Sequence, residues 1–286
     1  MEAKLFDIHC HLNLPEFAAD RATVLDRTLN EGCWLINVGA DLASSKLAVE
    51  IAKTKETGVW ATVGFHPTEI PAPKLEAEAG AVMMEEFAEL SELAKDPKVV
   101  AIGECGLEYY ERKANDKGRM TNENAQAKKE EQKALFRKHI ELALELDNPL
   151  MIHCRPNQGS QDAYEDTVDI LREYKHRAGD KLCGNFHFFA GGWTIAQKCL
   201  DLGFTLSFTG VVTFSHQYDE VIQNTPIDMI MAETDAPFVA PVPYRGQRCE
   251  PLYVVEVVKR MAELRGITYE KMAQISVQNG RRVFKL

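Results

Sequence analysis

The chain has 286 residues, 45% of them hydrophobic, and a formal net charge of −10. That length suits one large core of the size common for eight-stranded α/β barrels, so a single domain over residues 1–286 is expected. The acidic balance disfavours broad, non-specific coating of nucleic acid, which requires many neutralised phosphates, although a bound metal cluster can make one pocket locally positive. Apolar, strand-like runs follow at about 4–9, 34–39, 59–64, 98–103, 149–153, 182–187, 204–208 and 228–233, with most gaps long enough for a helix. Continuous apolar runs are the mark of strands buried on both faces, and eight such units predict a (β/α)8 TIM barrel.

Between the fourth and fifth runs, Leu135, Phe136, Ile140, Ala143 and Leu144 form the apolar stripe of a helix that "DNP" stops at 147–149. The polar approach to it, residues 111–132, reads as a long loop over the barrel mouth. Its Arg112, Lys113, Lys117, Arg119, Lys128 and Lys129 make either a basic flap or a solvated charged loop. After the eighth run come the Pro-rich segment 236–251, a helix near 251–265 and a last helical segment ending in "NGRRVFKL". Nothing approaches the roughly 20 apolar residues that span a bilayer, and "MEAKLFDIHCH" carries no signal region, so a cytoplasmic location without membrane partner is expected. Seven cysteines without a CxxC pair read as buried free thiols.

Five of the runs stop at residues that bind divalent metals. His9 and His11 are two apart, so on a strand both point to one face. Glu104, His153, His187 and Asp235 fall at equivalent strand ends, which a barrel gathers on one rim. Mixed imidazole and carboxylate ligands suit zinc, manganese or iron; a site with open positions also accepts magnesium.

The segments "FDIHCHL", "VGFHPTE", "AIGECGLEYY", "MIHCR", "HFFAGG" and "AETDAPFVAP", in this order, closely resemble the TatD family of metal-dependent deoxyribonucleases among the amidohydrolase-like barrels. The resemblance implies a hydrolase with two divalent ions (Mg2+, Mn2+ or Zn2+), His9, His11 and Asp235 holding one, Glu104 bridging, and His153 and His187 holding the other. It implies DNA as substrate, often with 3′ to 5′ exonuclease action; departures from the family pattern leave RNA open, and no obligate protein partner is evident from the sequence. Two cations polarise a phosphoryl oxygen, activate water and stabilise the leaving oxygen, and Asp235 is suited to be the general base.

Around these ligands the resemblance puts His66 beside the substrate phosphate. Arg155 fits either a phosphate or an acidic rim residue. Tyr109 and Tyr110 fit either base stacking or packing of the loop. Arg245 and Arg248 fit substrate binding or loop anchoring, with Glu250 an anchor. The chain departs from the family pattern at Glu108 (usually Asp), Phe188 (commonly Cys) and Cys249 (usually Asn), and by extra residues after Arg155. His139, His176 and His216 carry little information, His139 lying on the outside of the barrel. The alternative chemistry at the same metals is carbonyl hydrolysis, by an amidohydrolase or an aminoacyl-tRNA deacylase. No lysine stands at the end of strand five, where many amidohydrolases carry a carboxylated bridging lysine, which favours the nuclease reading.

Overall fold

A computed structural model describes residues 3–69, 78–110 and 122–286. Eight parallel strands, β1 (Leu5–Cys10), β2 (Cys33–Val38), β3 (Val59–Val63), β4 (Val99–Glu108), β5 (Leu150–Arg155), β6 (Gly184–Phe186), β7 (Thr205–Phe208) and β8 (Ile230–Ala232), pair in sequence order. A parallel bridge between Cys10 and Ala236 closes the sheet, reinforced by the His11 N–H donating to the Ala236 carbonyl (2.7 Å) and the Asp235 N–H to the His9 carbonyl (2.9 Å). The fold is a TIM barrel, as the run pattern predicts. Helices α1 (Arg21–Asn30), α2 (Leu42–Lys53), α3 (Glu78–Leu93), α4 (Asn122–Leu146), α5 (Asp162–Ala178), α6 (Trp193–Asp201), α7 (Asp219–Asn224) and α8 (Val254–Arg265) follow the strands in turn, and α9 (Tyr269–Val283) ends the chain.

Strand alternation divides the core into two layers. Phe6, Ile8, Ile36, Val38, Val100, Met151 and Met231 meet inside the barrel and fill its lower half. Leu5, Cys10, Leu35, Ile102, Ile152 and Leu206 face the helices and pack on residues such as Val24, Ala48, Phe136 and Val257. With the interior plugged from below, the C-terminal mouth is left open, where barrels of this kind place their sites.

Register irregularities then aim the ligands. Between Asp7 and Cys10 β1 carries one residue more than β2 opposite, and between Ile102 and Cys105 β4 carries one more than β5. Strict alternation would send Ile8 and His9 to opposite faces; the bulge turns both inward. In β4 the bulge falls on Gly103 and Glu104. Gly103 has φ +149°, and a Cβ on it would meet the Met151 carbonyl. A Cβ on Gly64 would stand 2.6 Å from the Gly103 carbonyl carbon, so β3 and β4 approach closely here only because both residues are glycine.

The long loop expected over residues 111–132 needs correction. Residues 122–132 are the first turns of α4, whose 25 residues reach Leu146 before Asp147 (φ 54°) ends it. Arg112, Lys113, Lys117 and Arg119 lie outside the described residues. Strand β4 also runs five residues past its expected end at 103, to Glu108. All seven cysteines are free, and six are buried. Among the described residues no helix is long and apolar enough to cross a membrane.

Candidate metal centre

Six side chains from β1, β4 and β5 and from the segments just beyond β1, β6 and β8 meet at the mouth. His9 Nε2 and His11 Nε2 are 3.1 Å apart. Each lies 3.6 Å from Glu104 Oε2, and they lie 3.7 and 3.4 Å from Asp235 Oδ1. Ligands held about 2.0–2.1 Å from one tetrahedral ion would be about 3.3–3.4 Å apart, close to these separations, and His9, His11 and Glu104 form one group that could hold a divalent cation. The other carboxylate oxygen of Glu104, Oε1, faces a second set, 3.0 Å from His153 Nδ1 and 2.8 Å from His187 Nε2, which are themselves 3.3 Å apart. One carboxylate thus presents an oxygen to each set.

Ring tautomers support the same fit. His11 Nδ1 donates to the Val38 carbonyl (2.9 Å), leaving Nε2 with its lone pair toward the first set. His153 is turned the other way round: Nε2 donates to Glu108 Oε2 (3.1 Å), and the Nδ1 lone pair faces the second set. The His9 and His187 rings stack, centroids 3.8 Å apart, and put Nε2 of each into the cluster. Burial pushes the Glu104 carboxyl up, but His187, His66 and His153 outweigh it and hold it well below its usual range. Asp235 is likewise held low, burial being outweighed by His11 and His9. Burial, reinforced by His187, takes His9 down to about 3. His153 and His11 go the other way: burial lowers both, but Glu104 and Glu108 outweigh it at His153, raised to about 9, and Asp235 and Glu104 outweigh it at His11. Since a cation binds neutral imidazole, these two rings would give up a proton on metal binding.

Two buried carboxyls beneath the cluster, which sequence reading passed over, hold the frame. Asp7 accepts from the Thr234 N–H (2.9 Å) and hydroxyl (2.5 Å), pinning β1 to the segment that carries Asp235, and burial raises it to about 8. Glu233 accepts from the Ser207 hydroxyl (3.0 Å) and the Phe188 N–H, and lies 3.9 Å from His187 Nδ1; burial raises it well above its usual range. Nothing in a lone Asp or Glu within an apolar run separates such a brace from a ligand.

His66 stands at the rim with Nε2 3.6 Å from Glu104 Oε1. Its Nδ1 accepts from the Thr68 N–H (3.2 Å), so the ring proton sits on Nε2 and faces the cavity as a donor. His139, read as uninformative, proves to brace this corner. It is fully buried on α4, Nδ1 donates to the Leu135 carbonyl (2.9 Å), and Nε2 accepts from the Phe65 N–H (3.0 Å), one residue before His66. Both bonds require the neutral ring, and burial pushes its pKa down from 6.5 to about 4.

The unfolded chain therefore takes up this proton first, and the stability owed to neutral His139 is full above about pH 6.5 and lost as pH falls towards 4. A shift of this size is on the order of 3 kcal/mol. Relative to a His139→Gln variant, whose amide oxygen can accept from Phe65 without titrating, the wild type should lose about that much between pH 7 and pH 4. Urea unfolding of both proteins at the two pH values checks this, because acid effects at the other buried groups are common to both. A pH-independent difference would mean that folding leaves the His139 pKa unshifted.

The remaining expected substrate residues separate. Arg155, half exposed, stands 3.9 Å from Glu108 and covers the Tyr110 ring at 4.2 Å. Tyr109 is not brought to the cavity: it is buried, its hydroxyl donates to Asp166 (2.8 Å) and Lys129 covers its ring. Tyr110, next in the chain, is the tyrosine at the mouth. Arg245 lies outside the cavity lining, donating to the Ala240 carbonyl (2.7 Å) above Phe214. Arg248 grips Asp20 with two bonds (2.8 and 2.6 Å), and Glu250 takes Arg27 (2.9 Å), so both anchor the last loop to α1 and its approach. His216 lies on the surface beside Asp219. The cavity that holds the cluster, about 880 Å³, is also lined by Glu108, Arg155, Tyr110, Phe188 and Phe238.

The family described as "TatD related DNase" matches residues 6–285. The chain belongs to the TatD family. This TatD-family metal-dependent hydrolase is 35% identical over 285 residues to the metal-dependent hydrolase YabD of Bacillus subtilis strain 168, covering 99% of both chains. It is 30% identical over 291 residues to a Pantoea vagans C9-1 protein named 3′-5′ ssDNA/RNA exonuclease TatD, covering 99% of this chain and 100% of that one. The crystal structure of the TatD homologue YjjV from Escherichia coli K12 superposes over 100% of both chains with a TM-score of 0.80 at 23% identity, a likeness of fold.

Proposed function

We propose that this TatD-family protein is a two-metal phosphodiesterase that removes nucleotides from the 3′ end of DNA. The observation that carries the reading is the division of Glu104, Oε2 toward His9, His11 and Asp235 and Oε1 toward His153 and His187. Divalent cations bound there would supply positive charge for a phosphoryl oxygen and lower the pKa of a water.

The chain's own residues do the rest. Asp235 turns Oδ1 to the histidines, leaving Oδ2 to accept the proton of the attacking water. His66 offers its Nε2–H to a non-bridging phosphate oxygen, and Thr68 fixes that tautomer. Glu108 holds His153 by Nε2, so the imidazole cannot turn its lone pair away from the second set. The Pantoea relative's name supports nucleic acid as the substrate class and 3′ to 5′ as the direction.

Purified protein with Mg2+ or Mn2+ should shorten a 5′-labelled single strand from a free 3′ end, stop at a blocked 3′ end, and do neither in chelator. Folded, metal-loaded protein that cleaves no strand from either end would remove this reading and turn the same centre toward carbonyl substrates, aminoacyl-tRNA first.

A further inference from the structure

Large apolar side chains exposed at the surface are few among the described residues, and two of them, Phe238 (49% exposed) and Tyr110 (37%), line the cavity of the metal centre. Aromatic side chains are a usual part of the lining of a ligand pocket. Tyr110 lies two residues beyond the end of β4 and Phe238 six beyond the end of β8. In a closed barrel of eight strands in sequence order, β4 and β8 are four strands apart in either direction, so the two residues follow strands on opposite sides of the mouth, and both line the cavity that holds the cluster.

Both rings are fixed in place. The Phe238 N–H donates to the Asp235 carbonyl (2.8 Å), the Cys249 N–H to the Pro237 carbonyl (3.0 Å), and the phenyl ring meets His11 edge to face at 6.3 Å. The Tyr110 N–H donates to Glu108 Oε1 (3.0 Å), while Oε2 of the same carboxylate holds His153. Each ring is therefore tied to one half of the cluster, Phe238 to the His11–Asp235 half and Tyr110 to the His153 half. The Arg155 guanidinium, 4.2 Å from the centre of the Tyr110 ring, adds a cation beside it.

We propose that Phe238 and the Tyr110–Arg155 pair are two nucleobase-stacking subsites, one on each side of the phosphodiester bound at the cluster. The proposal rests on the nuclease reading and deepens it. Aromatic faces accept the π-face of any base, so the pair grips a single strand without reading its sequence. Bases in a duplex are already stacked and do not reach rings that follow strands on opposite sides of the mouth. A cavity of about 880 Å³ is of small-ligand size, fitting a strand end better than a folded partner. Phe214, by contrast, lies outside the cavity lining.

The test uses the metal-loaded full chain and 5′-labelled single strands of equal length, either fully base-bearing or with a tetrahydrofuran abasic residue on one or the other side of the first bond cleaved. Wild type should show a KM raised about tenfold by an abasic residue on either side, within the range of one base–aromatic stack. Phe238→Ala should raise KM on the base-bearing strand about as much, add nothing further when one particular base is already missing, and keep its metal content; Phe238→Tyr should restore KM. Tyr110→Ala should behave in the same way for the base on the other side. If the abasic penalty is the same in wild type and both alanine variants, the rings do not touch bases and the proposal falls. Absence of metal-dependent cleavage of any strand fails differently: it removes the nuclease reading, and this proposal with it.

Discussion

Replacing Glu104 by glutamine is expected to lower kcat/KM by at least about a thousandfold and to reduce the bound metal. A thousandfold is about 4 kcal/mol of transition-state stabilisation, modest for a group on which both halves of the cluster depend. The amide keeps the shape of the carboxylate but offers one neutral oxygen where two charged ones served, Oε2 at 3.6 Å from both His9 and His11 and Oε1 at 2.8 Å from His187. Metal analysis after dialysis separates the alternatives: wild type should retain two ions per chain and the variant one or none, with a circular dichroism spectrum unchanged. A variant with two ions and wild-type activity would show that Glu104 bridges nothing.

Asp235→Asn should fall in a different pattern. Its Oδ1, 3.4 Å from His11 Nε2, has a counterpart in the amide, so some metal affinity should survive. The second oxygen becomes an NH2 that accepts no proton, and losing a positioned general base costs about 10²–10⁴ in rate. We expect kcat to drop by that factor, KM to change little, and Asp235→Ala to lose metal as well. His11 and His9 hold Asp235 below its usual range against the effect of burial, so in the wild type it is ionised at neutral pH. Near-normal kcat in Asp235→Asn would transfer the proton-accepting role elsewhere, with Glu108 at the cavity the next group to test.

The difference between these residues and their neighbours shows what one-dimensional patterns carry. The apolar runs near 4–9, 149–153 and 228–233 match strands at Leu5–Cys10, Leu150–Arg155 and Ile230–Ala232, because a strand covered on both faces has no polar position to spare. The polar composition of 122–132 misled, since residues 123–131 of α4 are exposed or half-buried and no apolar stripe is needed there. Tyr109 and Tyr110 are identical in type and adjacent in the chain, yet one donates to Asp166 in the interior and the other faces the mouth.

By itself the amino-acid sequence determined the number and order of the strands, the closure into a barrel, and the six residues that stop at its rim. Those follow from periodicity and from the chemistry of His, Glu and Asp, both written locally. Only the tertiary structure decided which nitrogen of each imidazole faces the cluster, that Glu104 divides its oxygens, that Glu108 holds His153, and that His139 on a distant helix braces the turn before His66. These depend on bulges at Gly103–Glu104 and beyond Asp7, and on partners 45 and 74 residues away in the chain. A tautomer or a rotamer is set by whatever acceptor the fold brings within about 3 Å, and no local pattern encodes that.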